Sequence, residues 1–123
     1  MLYIGDDAHG RAEFVRIAKR WPMVKLLVAR SGREGLAVAA ERRLRIVVLD
    51  ARLPDVRADE LVVALRRRAM TPSAPIVVVA GADAARQRAR FLWAGADAYL
   101  PMPLTPPDFD HTVGMLLEAA ALR

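Results

Sequence analysis

Short runs of consecutive apolar residues alternate along this chain with longer stretches in which apolar and polar positions recur at helical spacing. The short runs are Leu2-Tyr3-Ile4, Lys25 to Ala29, Ile46 to Leu49, Ile76 to Ala80 and Ala98-Tyr99-Leu100. Their length and β-branched content predict strands, and Ile76 to Ala80 has the unbroken apolar character of a strand buried on both faces. Ala8 to Arg20 reads as a helix with Ala12, Val15, Ile17 and Ala18 inward. Trp21-Pro22 stops it, because proline cannot extend a helix and restricts the residue before it. Ser31 followed by Glu34 has the pattern of a capping box and opens a helix to about Arg43. Further helices are predicted from about Ala58 to Ala69, from Asp83 to a C-cap at Gly95, and from Thr105 to Leu122. Pro106 and Pro107 suit the first turn of the last one, where no amide hydrogen bond is lost. Five strands, each followed by a helix, predict an α/β fold: a doubly wound, five-stranded parallel sheet with five flanking helices, in one domain over residues 1–123.

Two of the strand runs end in acid. Asp50 follows Ile46-Val47-Val48-Leu49, and Asp6-Asp7 follows the first run after Gly5. An apolar run buries a strand, whereas a carboxylate needs water, a cation or a reaction partner. Neighbouring parallel strands would bring these acids to one edge of the sheet, the carboxyl edge, where open α/β sheets place their binding sites. Two carboxylates about 4 Å apart repel by roughly 4 kcal/mol at an effective dielectric near 20. A divalent cation relieves such repulsion, and Mg²⁺ favours a few carboxylates with waters and phosphate oxygens.

Composition narrows the picture. A chain of 123 residues, 54% hydrophobic and 27% charged, supports one core and does not read as disordered. The absence of cysteine excludes disulfides, zinc-thiolate sites and thiol catalysis. No apolar stretch reaches the roughly 18–20 residues of a membrane span, and the N-terminus enters a strand pattern at once. A soluble, cytoplasmic protein without a signal peptide is expected. The net charge of +5 comes almost wholly from arginine, since lysine occurs only at Lys19 and Lys25. These arginines are dispersed over several helices without interleaved aromatics, so they are expected to be solvated, and direct nucleic-acid binding is not expected. His9 and His111 lack ligand spacing and read as surface residues.

With these blocks in view, the whole chain resembles the receiver domain of bacterial two-component response regulators. The resemblance rests on Ile4-Gly5-Asp6-Asp7, on Leu49-Asp50-Ala51-Arg52-Leu53-Pro54-Asp55, and on Gly95-Ala96-Asp97-Ala98-Tyr99-Leu100-Pro101-Met102-Pro103. It implies a flavodoxin-like sheet of strand order 2-1-3-4-5. It also implies that Asp50 is a phosphoacceptor attacking a phosphohistidine on a sensor histidine kinase or phosphotransfer protein. Asp7 and Asp50 would bind Mg²⁺ directly, Asp6 through water, and Arg52 through its backbone carbonyl. Tyr99 matches an aromatic that changes rotamer on switching, and the Met102-Pro103 peptide would be cis. The fourth helix, fifth strand and last helix would form a face for an output domain, another protein or a second copy, and an exposed Trp93 would mark it.

The chain departs from that family at two positions that read the phosphoryl group. Ala80 stands where a Thr or Ser is expected, and Met102 where a Lys is expected. Ala58 also replaces a glycine of the loop after the acceptor. Switching is therefore expected to be atypical, and Arg52 is a candidate substitute contact for the phosphoryl group. The alternative reading is a receiver-like module that binds proteins independently of phosphorylation. In either case the chain is a signalling module and not an enzyme. A phosphatase with a strand-end nucleophilic Asp would want a second Asp where Arg52 lies. A nucleotide-binding domain would want a glycine-rich loop where Asp6-Asp7 lie.

Overall fold

The chain runs β1 (Leu2–Ile4), α1 (Ala8–Ala18), β2 (Leu27–Ala29), α2 (Gly32–Glu41), β3 (Val47–Asp50), α3 (Ala58–Arg68), β4 (Ile76–Ala80), α4 (Arg88–Ala94), β5 (Ala98–Pro101) and α5 (Pro106–Ala121). The computed structural model describes residues 1–22, 24–81 and 86–122. All strand pairs are parallel, as the sequence pattern predicts, and the sheet has the order β2-β1-β3-β4-β5 that the family resemblance implies. Strand direction and order together require the helices to divide between two faces.

Side-chain alternation along each strand sorts the core into two layers. Leu2, Ile4, Val47, Leu49, Ile76 and Val78 face one layer, with Leu61, Val62 and Leu65 of α3 and Phe91 of α4. Tyr3, Val48, Val77 and Val79 face the other, with Phe14 and Ile17 of α1 and Phe109 and Val113 of α5. Phe14 stacks on Tyr3 at 4.5 Å between ring centroids and meets Phe109 edge-on at 5.6 Å. This corrects the inward face expected for the first helix. Gly10, Phe14, Ile17 and Ala18 are buried there, whereas Ala12 is exposed and Val15 half-buried. The large Phe14 ring has far more area to remove from water than the Ala12 methyl, so it decides the helix's rotation.

Helix ends follow their local chemistry. Ser31 Oγ accepts from the Glu34 amide at 3.1 Å, while the Glu34 carboxylate accepts from the Arg30 amide, one residue before the cap. Thr105 caps α5 by accepting from the Asp108 amide, with proline in the first turn. Strand β2 begins at Leu27, two residues later than the apolar pattern suggests, and β3 extends through Asp50 itself. The expected helix start at Asp83 lies outside the described residues, and α4 ends on Gly95, whose φ of 121° favours glycine. No helix among the described residues is long and apolar enough to cross a membrane.

Arg66 departs from the expectation of solvated arginines. From α3 its guanidinium donates to the carbonyl oxygens of Gly95, Pro72 and Ala74, and to the carboxylate of Asp97 at 2.7 Å. Asp97 also accepts from the Ile76 amide at 2.8 Å. One side chain thus ties α3, the turn before β4 and the turn before β5 together. The aspartate of the Gly-Ala-Asp-x-Tyr block is a structural partner in this arrangement.

Candidate functional site at the carboxyl edge of the sheet

Strand register brings the acid-tipped segments together. Ile4 pairs with Leu49, so Asp6-Asp7 and Asp50 emerge at the same edge of adjacent strands. On the other side of β3, Asp50 pairs with Val79, and Ala80 of β4 pairs with Pro101 of β5. The turn after β5 contains the cis Met102-Pro103 bond and begins with Met102 donating its amide to the Ala80 carbonyl. Asp50 is half-buried at the strand tip, whereas Asp6 and Asp7 are exposed.

Each carboxylate has a distinct local role. Asp50 Oδ1 accepts from the Arg52 amide at 3.0 Å, which fixes the first turn of the loop beyond β3. Asp7 Oδ2 accepts from the Gly10 amide at 3.1 Å and is the N-cap of α1. The neighbouring Asp6 accepts through its backbone carbonyl from Arg11 Nη1. Burial pushes the Asp50 carboxyl above its ordinary value of 3.8. The Arg52 amide opposes that shift, the Asp7 and Asp6 carboxylates reinforce it, and the Arg52 guanidinium weakly opposes it. The acids therefore sense one another without closing into a cage: among the described residues, no three His, Cys, Asp or Glu side chains converge closely enough to hold a metal ion. The acids that meet at this edge are in this respect looser than a closed metal site, because like charges repel and Asp7 is drawn to the helix terminus. Part-solvated carboxylates that repel one another suit a hard cation that keeps several of its waters.

The loop after β3 is anchored from an unexpected direction. Asp55 accepts from the amides of Gly32 and Arg33 at 2.9 and 3.0 Å, at the first turn of α2. Those amide bonds hold its carboxyl below the ordinary value. The Leu-Pro-Asp sequence thus ends in a carboxylate that fastens the loop to a neighbouring helix. Sequence spacing alone did not reveal that partner, since it lies 22 and 23 residues upstream.

Of the positions expected to read the phosphoryl group, Ala80 is buried and offers no side-chain donor, while Met102 is 37% exposed. Tyr99 lies beside Phe91 with ring centroids 6.4 Å apart, and its hydroxyl is buried without a hydrogen-bond partner among the described residues. An unpaired buried hydroxyl costs about 1–3 kcal/mol. Tyr99→Phe is accordingly expected to raise stability by about 1 kcal/mol in urea unfolding, and a clear loss would reveal a partner for that oxygen. Arg52 is exposed. His9 and His111 are exposed as expected, and Trp93 is 90% exposed on α4.

A residue overlooked in the sequence also reaches this edge. Tyr3 is buried, yet the charges of Asp50, Asp7 and Asp6 act on its phenol. Burial first, then these carboxylates, push its pKa up to about 12, with Arg11 acting in the opposite sense. The available signal was an aromatic in a short aliphatic strand, followed by glycines at positions 5 and 10.

The model of the response regulator receiver domain family matches residues 1–113. The chain is 33% identical over 104 residues to the probable transcriptional regulatory protein TcrX of Mycobacterium tuberculosis, covering 85% of this chain and 44% of that protein. It is 34% identical over 113 residues to the response regulator MprA of Mycobacterium leprae, covering 92% and 49%. The chain therefore spans less than half the length of these curated relatives. Among solved structures, a CheY-like response regulator receiver domain protein from Methanospirillum hungatei superposes with a TM-score of 0.83 at 26% identity, covering 96% of this chain and 92% of that one. The receiver domain of a sensor histidine kinase from Pseudomonas aeruginosa, described with a magnesium ion coordinated in the active site cleft, superposes with a TM-score of 0.84. Its identity is 17%, with 95% of each chain covered.

Proposed function

Because this chain belongs to the response regulator receiver domain family of two-component signalling, we propose that Asp50 accepts a phosphoryl group from a sensor histidine kinase or phosphotransfer protein. The observation that carries this reading is the position of Asp50: half-buried at the tip of central β3, beside two further carboxylates and at the edge where β1, β4 and β5 also end. Asp7 and Asp50 would hold Mg²⁺, with Asp6 acting through a water and Arg52 through its backbone carbonyl. Bound Mg²⁺ supplies positive charge against the transferring phosphoryl group. The Arg52 amide orients Asp50, and Asp55 keeps the loop that follows against α2.

Receiver domains are signalling modules and not enzymes in the usual sense, and histidine kinases and output domains are their typical partners. For this chain the response to phosphorylation is atypical. Ala80 and Met102 supply neither the hydroxyl nor the ammonium expected there. Each missing charge-assisted hydrogen bond forgoes roughly 1.5–3 kcal/mol, comparable with the free energy that moves a two-state equilibrium. The exposure of Trp93 on α4 favours a second reading, in which the α4, β5 and α5 face binds an output partner or a second copy whatever the state of Asp50. Such contacts belong to a cytoplasmic protein.

Mass spectrometry after treatment with acetyl phosphate and Mg²⁺ separates the two. The native chain is expected to gain the mass of one phosphoryl group, and Asp50→Asn to gain none. Absence of any gain in the native chain would leave the interaction module standing alone.

A further inference from the structure

The hydroxyl of Tyr3 opens onto the acidic edge through a gap that two glycines leave. A Cβ at Gly5 would lie 2.7 Å from that oxygen, closer than real Cβ contacts come, so a side chain at position 5 would displace the phenol. A Cβ at Gly10 would lie 3.5 Å from the same oxygen and 3.2 Å from Asp7 Oδ2, so only a methyl-sized space separates the phenol from the helix-capping carboxylate. Beneath, the stack on Phe14 leaves the ring little freedom to turn away. Tyr3, Gly10, Asp50 and Met102, together with Glu13 and apolar neighbours, line one small void of about 10 Å³, room for about one water-sized atom. No hydrogen bond engages the Tyr3 hydroxyl among the described residues, so its proton is available to an acceptor in that void.

Resting on the acceptor reading above, we propose that Tyr3 donates a hydrogen bond to a phosphoryl oxygen on Asp50, from the side where Met102 supplies no charge. The void suits one oxygen, and Tyr3 lines it beside Asp50. In the transfer, an Asp50 carboxylate oxygen attacks phosphorus and the bond from phosphorus to the donor's leaving atom breaks, the leaving group taking the bonding pair. With acetyl phosphate the products are the aspartyl phosphate and acetate. Tyr3 keeps its proton throughout, as a phenol does at neutral pH. It therefore stabilises the charge on the phosphoryl oxygens without itself being consumed.

Tyr3→Phe retains the ring and its stack on Phe14, so the fold should survive, and a thermal melt verifies this. The test compares native chain, Tyr3→Phe, Met102→Lys, Asp50→Asn and the double variant Tyr3→Phe/Met102→Lys, each labelled with acetyl phosphate and Mg²⁺ and followed by intact mass. The expected result is native labelling, none in Asp50→Asn, and about tenfold slower labelling in Tyr3→Phe. The double variant should recover most of that rate, because a lysine ammonium at position 102 returns a donor to the same void. Measured against the Met102→Lys single variant, Tyr3→Phe should cost less beside the lysine than in the native background, because a purely structural defect would cost the same in both. Equal labelling of native and Tyr3→Phe overturns the Tyr3 role alone, as does a Tyr3→Phe defect that lysine leaves unchanged. No labelling of the native chain overturns the acceptor reading and the Tyr3 role with it.

Discussion

Arg66→Met is expected to destabilise the protein by about 3 kcal/mol, lowering the urea midpoint sharply while leaving the unfolding slope unchanged. The Arg66 guanidinium satisfies three backbone carbonyls and the Asp97 carboxylate from one position, and these acceptors belong to segments far apart in sequence. Methionine keeps much of the apolar stem and removes every donor. Hydrogen bonds to a charged group contribute roughly 1.5–3 kcal/mol each, but the Arg66 and Asp97 side chains are both 25% exposed. Water therefore recovers part of the loss, and a simple sum would be too large. Arg66→Lys should restore only a fraction, since an ammonium cannot fork between Gly95, Ala74 and Asp97. A loss below about 1 kcal/mol for Arg66→Met would show that solvent replaces the network almost completely.

The second large effect concerns Asp50. Its carboxyl holds its proton more tightly in the folded chain than in the unfolded one, through burial and then through Asp7 and Asp6. The sign follows by linkage: a raised carboxyl pKa means the native state binds more protons, so this group's contribution to stability falls as pH rises. The fall begins near the ordinary value of 3.8 and is complete above the raised folded value. At neutral pH the ionised Asp50 thus weakens the fold. Asp50→Asn should stabilise it there by about 1 kcal/mol or less, since water at the half-buried strand tip screens the effect, and the advantage should shrink as pH drops below the ordinary carboxylate range. Mg²⁺ should reverse the order. At about a hundred times its dissociation constant, a ligand that binds only the native state adds about 2.7 kcal/mol. The native chain should show that gain in thermal melts and Asp50→Asn should lose most of it. Equal gains in both would remove Asp50 from the cation site.

The sheet was readable from the sequence because apolar run length and punctuation constrain strands strongly. Ile76 to Ala80, between Pro75 and Gly81, was bounded to the residue. Helix rotation was harder: in Ala8 to Ala18 several apolar residues compete, and only the aromatic cluster of Tyr3, Phe14 and Phe109 selects the buried face. The acid-tipped strands announced the candidate site, since carboxylates after buried runs need a reason. Its details depended on contacts across long sequence separations. Asp55 reaches α2, Arg66 reaches the turn before β5, and the Tyr3 hydroxyl rises between two glycines, none of which a local pattern encodes. Which of Asp6 and Asp7 caps α1 was equally hidden, because adjacent aspartates have the same capping chemistry and only backbone direction separates them.

The two tryptophans have opposite surroundings. Trp21 is half-buried, its indole nitrogen donating to Asp110 at 3.0 Å, whereas Trp93 stands almost fully in solvent on α4. Their emission spectra should therefore differ, with the red edge belonging to Trp93. The molecule carries its own optical gauge of whatever settles on that helix, and no dye need be attached to read it.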